Sequence, residues 1–436
     1  MIFLYQSCYV KTAFKAKKGC MDIMEKKLNR EQEKAFKEIV KPGNVFITGN
    51  AGTGKSFLLN KVITYYEKTG LNVVITAPTG IAALNVGGTT IHRAFHAPVH
   101  PIGPKEYIKT PEAIVKADVI IIDEISMVRF DLMEYISASI EQAQKISKKA
   151  KKLIVVGDFY QLAPVMNSMH KDTLENLWQK KVYEGYAFES TAWKKMNFKN
   201  IVLTTTVRQK DGSFVAALNS LREGNIEKFG WLKENSCEKW QDDAIYLCGT
   251  NKEVDMVNHN KLIMLNTPEI IFQAQITGKV NDGDKMTDEY LHLKVGAKIM
   301  TLVNDKQNRY KNGSIGTITQ IREDSIVVEI DGVKNITIEP YAWTITEYSV
   351  EGGKLQQNII GIYEQLPVKL AYAITIHKSQ GKTFEKLNIN PKCFANGQLY
   401  VALSRGTDIK KIHLKDKINR YWLKTSSEVL NFYMSI

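Results

Sequence analysis

Gly49-Asn50-Ala51-Gly52-Thr53-Gly54-Lys55-Ser56 is the stretch on which the fold turns. Its glycines let successive backbone N–H groups face inward around an anion, Lys55 reaches toward β- and γ-phosphates, and Ser56 supplies a hydroxyl for magnesium. The flanks fit the same device. Val45-Phe46-Ile47-Thr48 reads as a buried strand entering the loop, and Phe57, Leu58, Leu59, Val62 and Ile63 carry helical apolar spacing after it. A helix N-terminus then adds its positive end to the anion site. This is a Walker A loop in a strand-loop-helix setting. By itself it specifies phosphate binding and admits a kinase, a transporter ATPase or a GTPase.

Outward from the loop, Val73 to Thr76, Val119 to Ile122 and Leu153 to Val156 repeat the short apolar strand between helical patterns, from Leu28 to about Thr206. Such alternation predicts an α/β unit with a parallel sheet. Phe95 to Pro111 interrupts it with Pro98, Pro101, Gly103, Pro104 and Pro111, the composition of a protruding loop or small insertion. A second α/β rhythm starts at Ile245 to Cys248, with a helix start at Thr250-Asn251, and resumes at Leu387 to Ile389 and Ile412 to Leu414. Between these pieces Lys298 to Val303, Gly316 to Ile321, Ser325 to Ile330 and Asn335 to Ile338 read as strands, with hairpin-type turns at Asn312-Gly313 and Asp331-Gly332. They predict a small β-barrel or sheet inserted in the second α/β domain.

The whole chain agrees with this division. Its 436 residues, 44% of them hydrophobic, suit a globular protein of roughly three domains. Lys and Arg number 59 against 46 Asp and Glu, a surplus of +13 that favours a polyanionic partner, nucleic acid first. Lys145, Lys148, Lys149, Lys151 and Lys152 form a local run that reads as a solvated face or, failing that, a DNA contact. Cys8, Cys20, Cys237, Cys248 and Cys393 are scattered without a C-x-x-C pair, which suggests neither a disulfide framework nor a zinc site and points to a reducing cytoplasm. No apolar run reaches the roughly 18 residues of a membrane span. Met1 to Met21 has four lysines and no acidic residue, but no arginine and too short an apolar start for a signal peptide. It is expected to be a disordered extension, or sequence upstream of a true start at Met21 or Met24.

Two further strand ends carry chemistry. Val119-Ile120-Ile121-Ile122-Asp123-Glu124 is a Walker B pattern in which Asp123 holds magnesium and Glu124 orients or deprotonates the attacking water. Leu153-Ile154-Val155-Val156-Gly157-Asp158 repeats the strand-to-carboxylate design, and Gln161 follows where it can sense a γ-phosphate or merely cap a turn before Pro164.

At this point the chain resembles superfamily 1B DNA helicases of the petite-integration-frequency (PIF) family, more distantly RecD-type enzymes, over almost all of Leu28 to Leu414. Gln32 is similar to the adenine-reading glutamine before the P-loop, and Ala77-Pro78-Thr79-Gly80 through Thr90-Ile91-His92 to the DNA-contacting motif Ia. Asp123 to Met127 resembles motif II, Gly157-Asp158 with Gln161 motif III, and Val207-Arg208-Gln209 motif IV. Lys369 to Gly381, containing Thr375-Ile376-His377-Lys378-Ser379-Gln380-Gly381, resembles motif V, and Tyr400-Val401-Ala402-Leu403-Ser404-Arg405 motif VI. Leu162-Ala163-Pro164-Val165 departs from the family's usual Leu-Pro-Pro-Val.

The resemblance implies an α/β fold of two RecA-like P-loop parallel-sheet domains, with a small wedge insertion and an SH3-like β-barrel insertion. Residues 1–27 would be the extension, 28–206 the first motor domain with its wedge at about 95–111, and 207–268 plus 366–436 the second motor domain interrupted by the SH3-like domain at 269–365. It implies an ATP-dependent 5′-to-3′ DNA helicase, or alternatively a DNA-stimulated ATPase that remodels or loads without processive unwinding. ATP and Mg²⁺ would be held by Gln32, Gly49 to Ser56, Asp123, Gln161, Arg208, Gly381 and Arg405, with Arg208 and Arg405 as arginine fingers. Pro78, Thr79, His92, Phe95, Thr375, His377 and Lys378 would grip DNA, with Phe95 as a base-stacking face or an ordinary core residue. Implied partners are single-stranded and forked DNA, with G-quadruplexes or RNA–DNA hybrids as further substrates. A monomer in a bacterial or phage-like cytoplasm is expected.

Overall fold

The computed structural model describes residues 27–242, 244–330, 332–351 and 354–436. The expected extension lies outside the described residues up to residue 26, as does Asp331 of the second turn. The first sheet comprises β1 (Val45–Gly49), β2 (Val73–Ala77), β3 (Thr89–Thr90), β4 (Val119–Ile122), β5 (Lys152–Val156) and β6 (Lys199–Leu203). These run parallel in the order β3-β2-β4-β5-β1-β6. Every residue of β1 and β4 is buried, because a parallel sheet covered on both faces needs apolar residues on both. The register pairs Ile47 with Val156 and Ile122 with Val155, so the loops leaving β1, β4 and β5 emerge together at one edge. Ligands of open α/β sheets bind at such an edge.

The second sheet is also parallel, with strands Ala373–Thr375, Ile245–Cys248, Leu387–Ile389 and Ile412–Leu414 in that order. Antiparallel strands intervene. Val333–Ile338, Ile326–Ile330, Ile315–Ile321, Lys298–Thr301 and Val368–Leu370 form a five-stranded sheet, the last holding the first residues of motif V. A long hairpin, Tyr341–Glu351 with Lys354–Gln365, pairs with Gln275–Gly278. It reaches the first sheet, where the Tyr348 hydroxyl accepts from Ile75 N at 3.1 Å and Thr346 O accepts from Thr89 Oγ1 at 3.0 Å.

The lysine run splits between two uses. Lys145, Lys148 and Lys149 are exposed. Lys151 Nζ instead donates to Val115 O at 2.6 Å, and Lys152 Nζ to Lys41 O and Gly43 O at 2.5 and 2.7 Å. These two ammonium groups close open carbonyls beside β5, which takes the buried Lys151 out of the solvated run while Lys152 remains partly exposed. Among the described residues no helix is long and apolar enough to cross a membrane, and Cys237, Cys248 and Cys393 form no disulfide.

Candidate functional site

The loop that follows β1 takes its shape from two close approaches. Gly49 has φ +146°, and a Cβ there would stand 2.1 Å from Leu203 O of β6. Gly52 has φ +79°, and its Cβ would meet Arg208 Cβ at 2.6 Å. Only glycine lets the loop lie this close to the edge strand on one side and to the linker carrying Arg208 on the other. Val207 N donates to Gly52 O at 2.8 Å, fixing that contact. The helix Lys55–Lys68 begins directly afterwards and buries Leu58, Leu59, Val62 and Ile63 against the sheet.

A cleft of about 420 Å³ opens at this edge, lined by Gly52, Gly54, Lys55, Ser56, Asp123, Glu124 and Gln161 from one side and by Arg208, Gly381, Thr383, Arg405 and Thr407 from the other. Residues spread over some 350 positions of sequence thus share one cavity. Lys55 Nζ donates to Gly49 O and Asn50 O at 2.8 and 3.1 Å, folded back over its own loop. Burial pushes its ammonium down, opposed by the charges of Asp158 and Glu124. Glu124 sits in the left-handed region at φ +51°, a conformation that costs a non-glycine residue about 1 kcal/mol and turns the chain sharply after β4. Burial raises both carboxyls; Glu124's charge adds to the rise at Asp123, while Lys55 and Arg405 oppose it at Glu124. Two such carboxylates side by side with the Ser56 hydroxyl suit a hard divalent cation, which needs few protein ligands when phosphates supply the others.

Both candidate finger arginines are held by backbone oxygens. Arg208 Nη1 donates to Ser404 O at 3.0 Å. Arg405, 2% exposed, donates through Nε to Val401 O at 3.0 Å and through Nη2 to Ser404 Oγ at 2.8 Å. Burial, then the charge of Arg208, lowers Arg405 to about 9. Gln161 Oε1 accepts from Gln380 Nε2 at 3.4 Å, linking motif III to motif V. Gln32 stands apart from the cleft lining. Its side chain forms a capping box with Asn29 at the helix Arg30–Ile39, and Nε2 donates to Thr53 O at 3.1 Å, so in this state it braces the phosphate loop from behind.

Three residues that sequence reasoning passed over complete the picture. The Tyr400 hydroxyl accepts from Ala51 N at 2.9 Å, occupying one amide of the phosphate loop. Gln209 Nε2 bonds Ser404 O and Gly406 O at 3.1 and 2.9 Å. Arg222 pairs with Asp158 across the domains, Nη2 to Oδ1 at 3.0 Å and Nε to Oδ2 at 3.3 Å. Tyr400 lies within the quoted motif VI and Gln209 within motif IV, so their presence was visible and their partners were not.

The expected strand grips fall in two groups. Thr79 is exposed and its hydroxyl accepts from Ala82 N, with Pro78 and His92 partly covered nearby. Thr375 Oγ1 accepts from Lys378 N at 3.1 Å, Lys378 is exposed and His377 half-buried, and burial lowers both His92 and His377. Phe95 does not fit base stacking. It ends the short helix Ile91–Phe95, whose Ile91, Ala94 and Phe95 all turn inward, and it is 0% exposed in the first core. Tyr107, farther along the Pro-rich stretch, offers an open aromatic face at 81% exposure.

Two parallel-sheet domains that share one cleft at a Walker A loop, with two arginines facing it from the far side, define a nucleotide-binding protein of two-domain RecA-like architecture. The PIF1-like helicase family model matches residues 27–231. An ATP-dependent DNA helicase Pif1 from Campylobacter jejuni is 36% identical over 441 residues, covering 91% of this chain and 96% of that protein. Bacteroides sp Pif1 in complex with ADP-AlF4 is 31% identical and superposes with a TM-score of 0.83, covering 94% of this chain and 97% of that one. Bacteroides Pif1 bound to ssDNA, 32% identical over the same shares, superposes at 0.67. The chain belongs to the PIF1-like helicase family.

Proposed function

We propose that this chain moves 5′ to 3′ along single-stranded DNA, using the cleft between its two parallel sheets as the ATP site, and opens forked or structured DNA ahead of it. The observation that carries this reading is the convergence of Lys55, Ser56, Asp123, Glu124, Gln161, Arg208 and Arg405 on one cavity. Lys55 and the loop from Gly49 to Ser56 hold the phosphates, and Gln32 contacts the base once nucleotide draws it from Thr53. Ser56 and Asp123 hold Mg²⁺, which when bound neutralises charge on the β- and γ-phosphates. Glu124 orients the attacking water, its carboxylate turned inward by the left-handed backbone. Gln161 registers the γ-phosphate, while Arg208 and Arg405 stabilise charge on the transferring group.

Pro78, Thr79 and His92 form one grip on the strand, and Thr375, His377 and Lys378 the other. Each grip belongs to a different sheet, so closing the cleft shortens the distance between them and reopening advances one past the other. Contacts of this kind go to phosphate and sugar, which makes travel tolerant of sequence. The wedge at about 95–111, the inserted domain at about 269–365 and the motor halves at 28–206 and 207–268 with 366–436 divide the work. Forked duplexes, RNA–DNA hybrids and G-quadruplexes are its substrates, and the free protein is a monomer. Unwinding of duplexes tailed at the 5′ or the 3′ end tests the reading: ATP-dependent opening of the 5′-tailed duplex alone supports it, and no opening of either overturns it.

A further inference from the structure

The helix Ser427–Met434 follows the last strand of the second sheet in sequence, yet its aromatic side chains pack into the first domain. Phe432 stacks on Phe188 at 4.5 Å between centroids and 15° between planes, and meets Phe159 at 5.3 Å and Trp193 at 5.8 Å. This aromatic contact docks the helix. The next residue does something different. Tyr433 stacks on Tyr160 at 4.5 Å and 12°, and its hydroxyl sits 2.7 Å from Thr48 Oγ1, accepts from Phe159 N at 3.1 Å and lies 3.4 Å from Asp158 Oδ1.

Those partners occupy the roots of two working loops. Thr48 immediately precedes Gly49 of the phosphate loop, and Asp158 and Phe159 lie between the end of β5 and Gln161. One phenol therefore ties the exits of β1 and β5 together and satisfies an amide, Phe159 N, that has left the strand ladder and would otherwise need a partner. Arg222, from the helix Gly212–Arg222 of the second domain, completes the cluster, its guanidinium 4.1 Å from the Tyr160 ring and 5.2 Å from the Tyr433 ring while it pairs with Asp158. On the other flank the second domain presses directly on the same loop, where a Cβ on Gly397 would stand 2.4 Å from Tyr160 O and 2.8 Å from Gln161 O.

We propose that Tyr433 is a positioning residue for ATP turnover, its hydroxyl holding the loop from Asp158 to Gln161 in register with the phosphate loop so that Gln161 meets the γ-phosphate. The assignment rests on the sensing role given to Gln161 above. The hydroxyl touches no reacting atom; it acts through the loop.

Steady-state DNA-stimulated ATPase of the full chain tests this with Tyr433→Phe, which keeps both rings stacked, alone and combined with Gln161→Ala. Tyr433→Phe lowers kcat about fivefold, the size expected for one neutral hydrogen bond, and leaves KM for ATP and the affinity for single-stranded DNA within about twofold. In the Gln161→Ala background it adds nothing, because both changes remove the same interaction. Thr48→Val, which withdraws the partner from the other side of the hydroxyl, reproduces the kcat loss with Tyr433 in place and serves where Tyr433→Phe folds poorly. An impaired Gln161→Ala beside wild-type kcat in Tyr433→Phe and Thr48→Val overturns the positioning role alone. Wild-type kcat in Gln161→Ala overturns the sensing role and this proposal with it. A Tyr433→Phe loss that persists in full beside Gln161→Ala, or that appears in KM, also overturns it.

Discussion

Arg93 in the helix of motif Ia and Asp284 of the inserted domain form a bidentate ion pair, Nη2 to Oδ2 at 2.7 Å and Nη1 to Oδ1 at 3.2 Å. Both side chains are largely buried. Beside the pair, a Cβ on Gly80 would stand 2.4 Å from Gly283 O, so the inserted domain lies over the end of β2 from which Pro78 and Thr79 emerge. The hairpin contacts through Tyr348 and Thr346 extend the same cover.

Asp284→Ala should therefore raise affinity for single-stranded DNA. Breaking one partner of a buried ion pair destabilises the state that contains it by about 3 kcal/mol, and on the proposed path a strand across Thr79 and His92 would compete with that state. Fluorescence anisotropy with a labelled oligonucleotide should show at least a threefold lower Kd; an unchanged or higher Kd would mean that the pair persists on DNA.

Lys55→Ala should remove ATP hydrolysis about 100-fold or more while DNA binding without nucleotide stays near wild type. Its ammonium lines the cleft and donates to Gly49 O and Asn50 O of its own loop, away from the residues proposed to grip DNA. Turnover close to wild type would place hydrolysis elsewhere.

Arg405→Ala should separate binding from turnover. The guanidinium reaches the cleft from motif VI, and loss of an arginine finger costs about 10³-fold or more in rate. Affinity for a fluorescent ATP analogue should remain within a few fold, and a variant that no longer binds the analogue would contradict the finger role.

The ammonium of Lys369, on the strand Val368–Leu370 that opens motif V, is lowered to about 7 by burial and then by the charges of Lys382 and Lys378. It carries its proton below that pH and loses it above. A DNA phosphate held by the proposed grip at the neighbouring Lys378 would favour the charged form, so binding would take up a proton and affinity should fall as pH rises from 7 to 9. Lys369→Gln should flatten this dependence, whereas an identical slope in the variant would assign it to another group.

Salt provides an independent measure of the strand contacts. Log K for single-stranded DNA should fall linearly with log salt by about 0.7 for each phosphate neutralised. Lys378→Ala should reduce that slope by about 0.7, because its exposed ammonium is the most accessible cation of motif V. A slope that does not change removes Lys378 from the strand.

The central strands were legible because a strand buried on both faces must be an unbroken apolar run, and Val119 to Ile122 or Ile245 to Cys248 fit little else. β6 escaped notice because it is the edge strand, where Lys199, Asn200 and Val202 face solvent and blur the run. The hairpin from Tyr341 to Gln365 alternates threonine, glutamate and glutamine with apolar residues, so no unbroken apolar run marks it. Most residues lining the ATP cleft could be read from motifs whose chemistry is local, Thr383 and Thr407 excepted. Arg222 against Asp158, Tyr400 against Ala51 and Tyr433 against Thr48 could not, since each pair is fixed by how two domains meet and leaves no mark in spacing. At Phe95 the sequence left a stacking face and an ordinary core residue open, and the helix settles it by turning the ring inward.

The docking of Phe432 has a consequence for folding. Phe46, Phe159, Phe188 and Trp193 are all made long before Phe432, and their cluster lacks a member until it arrives. The first domain's aromatic cluster thus takes its last ring from a residue more than two hundred positions away, so the contact is among the most non-local in the chain and forms late in any ordering of folding by sequence separation.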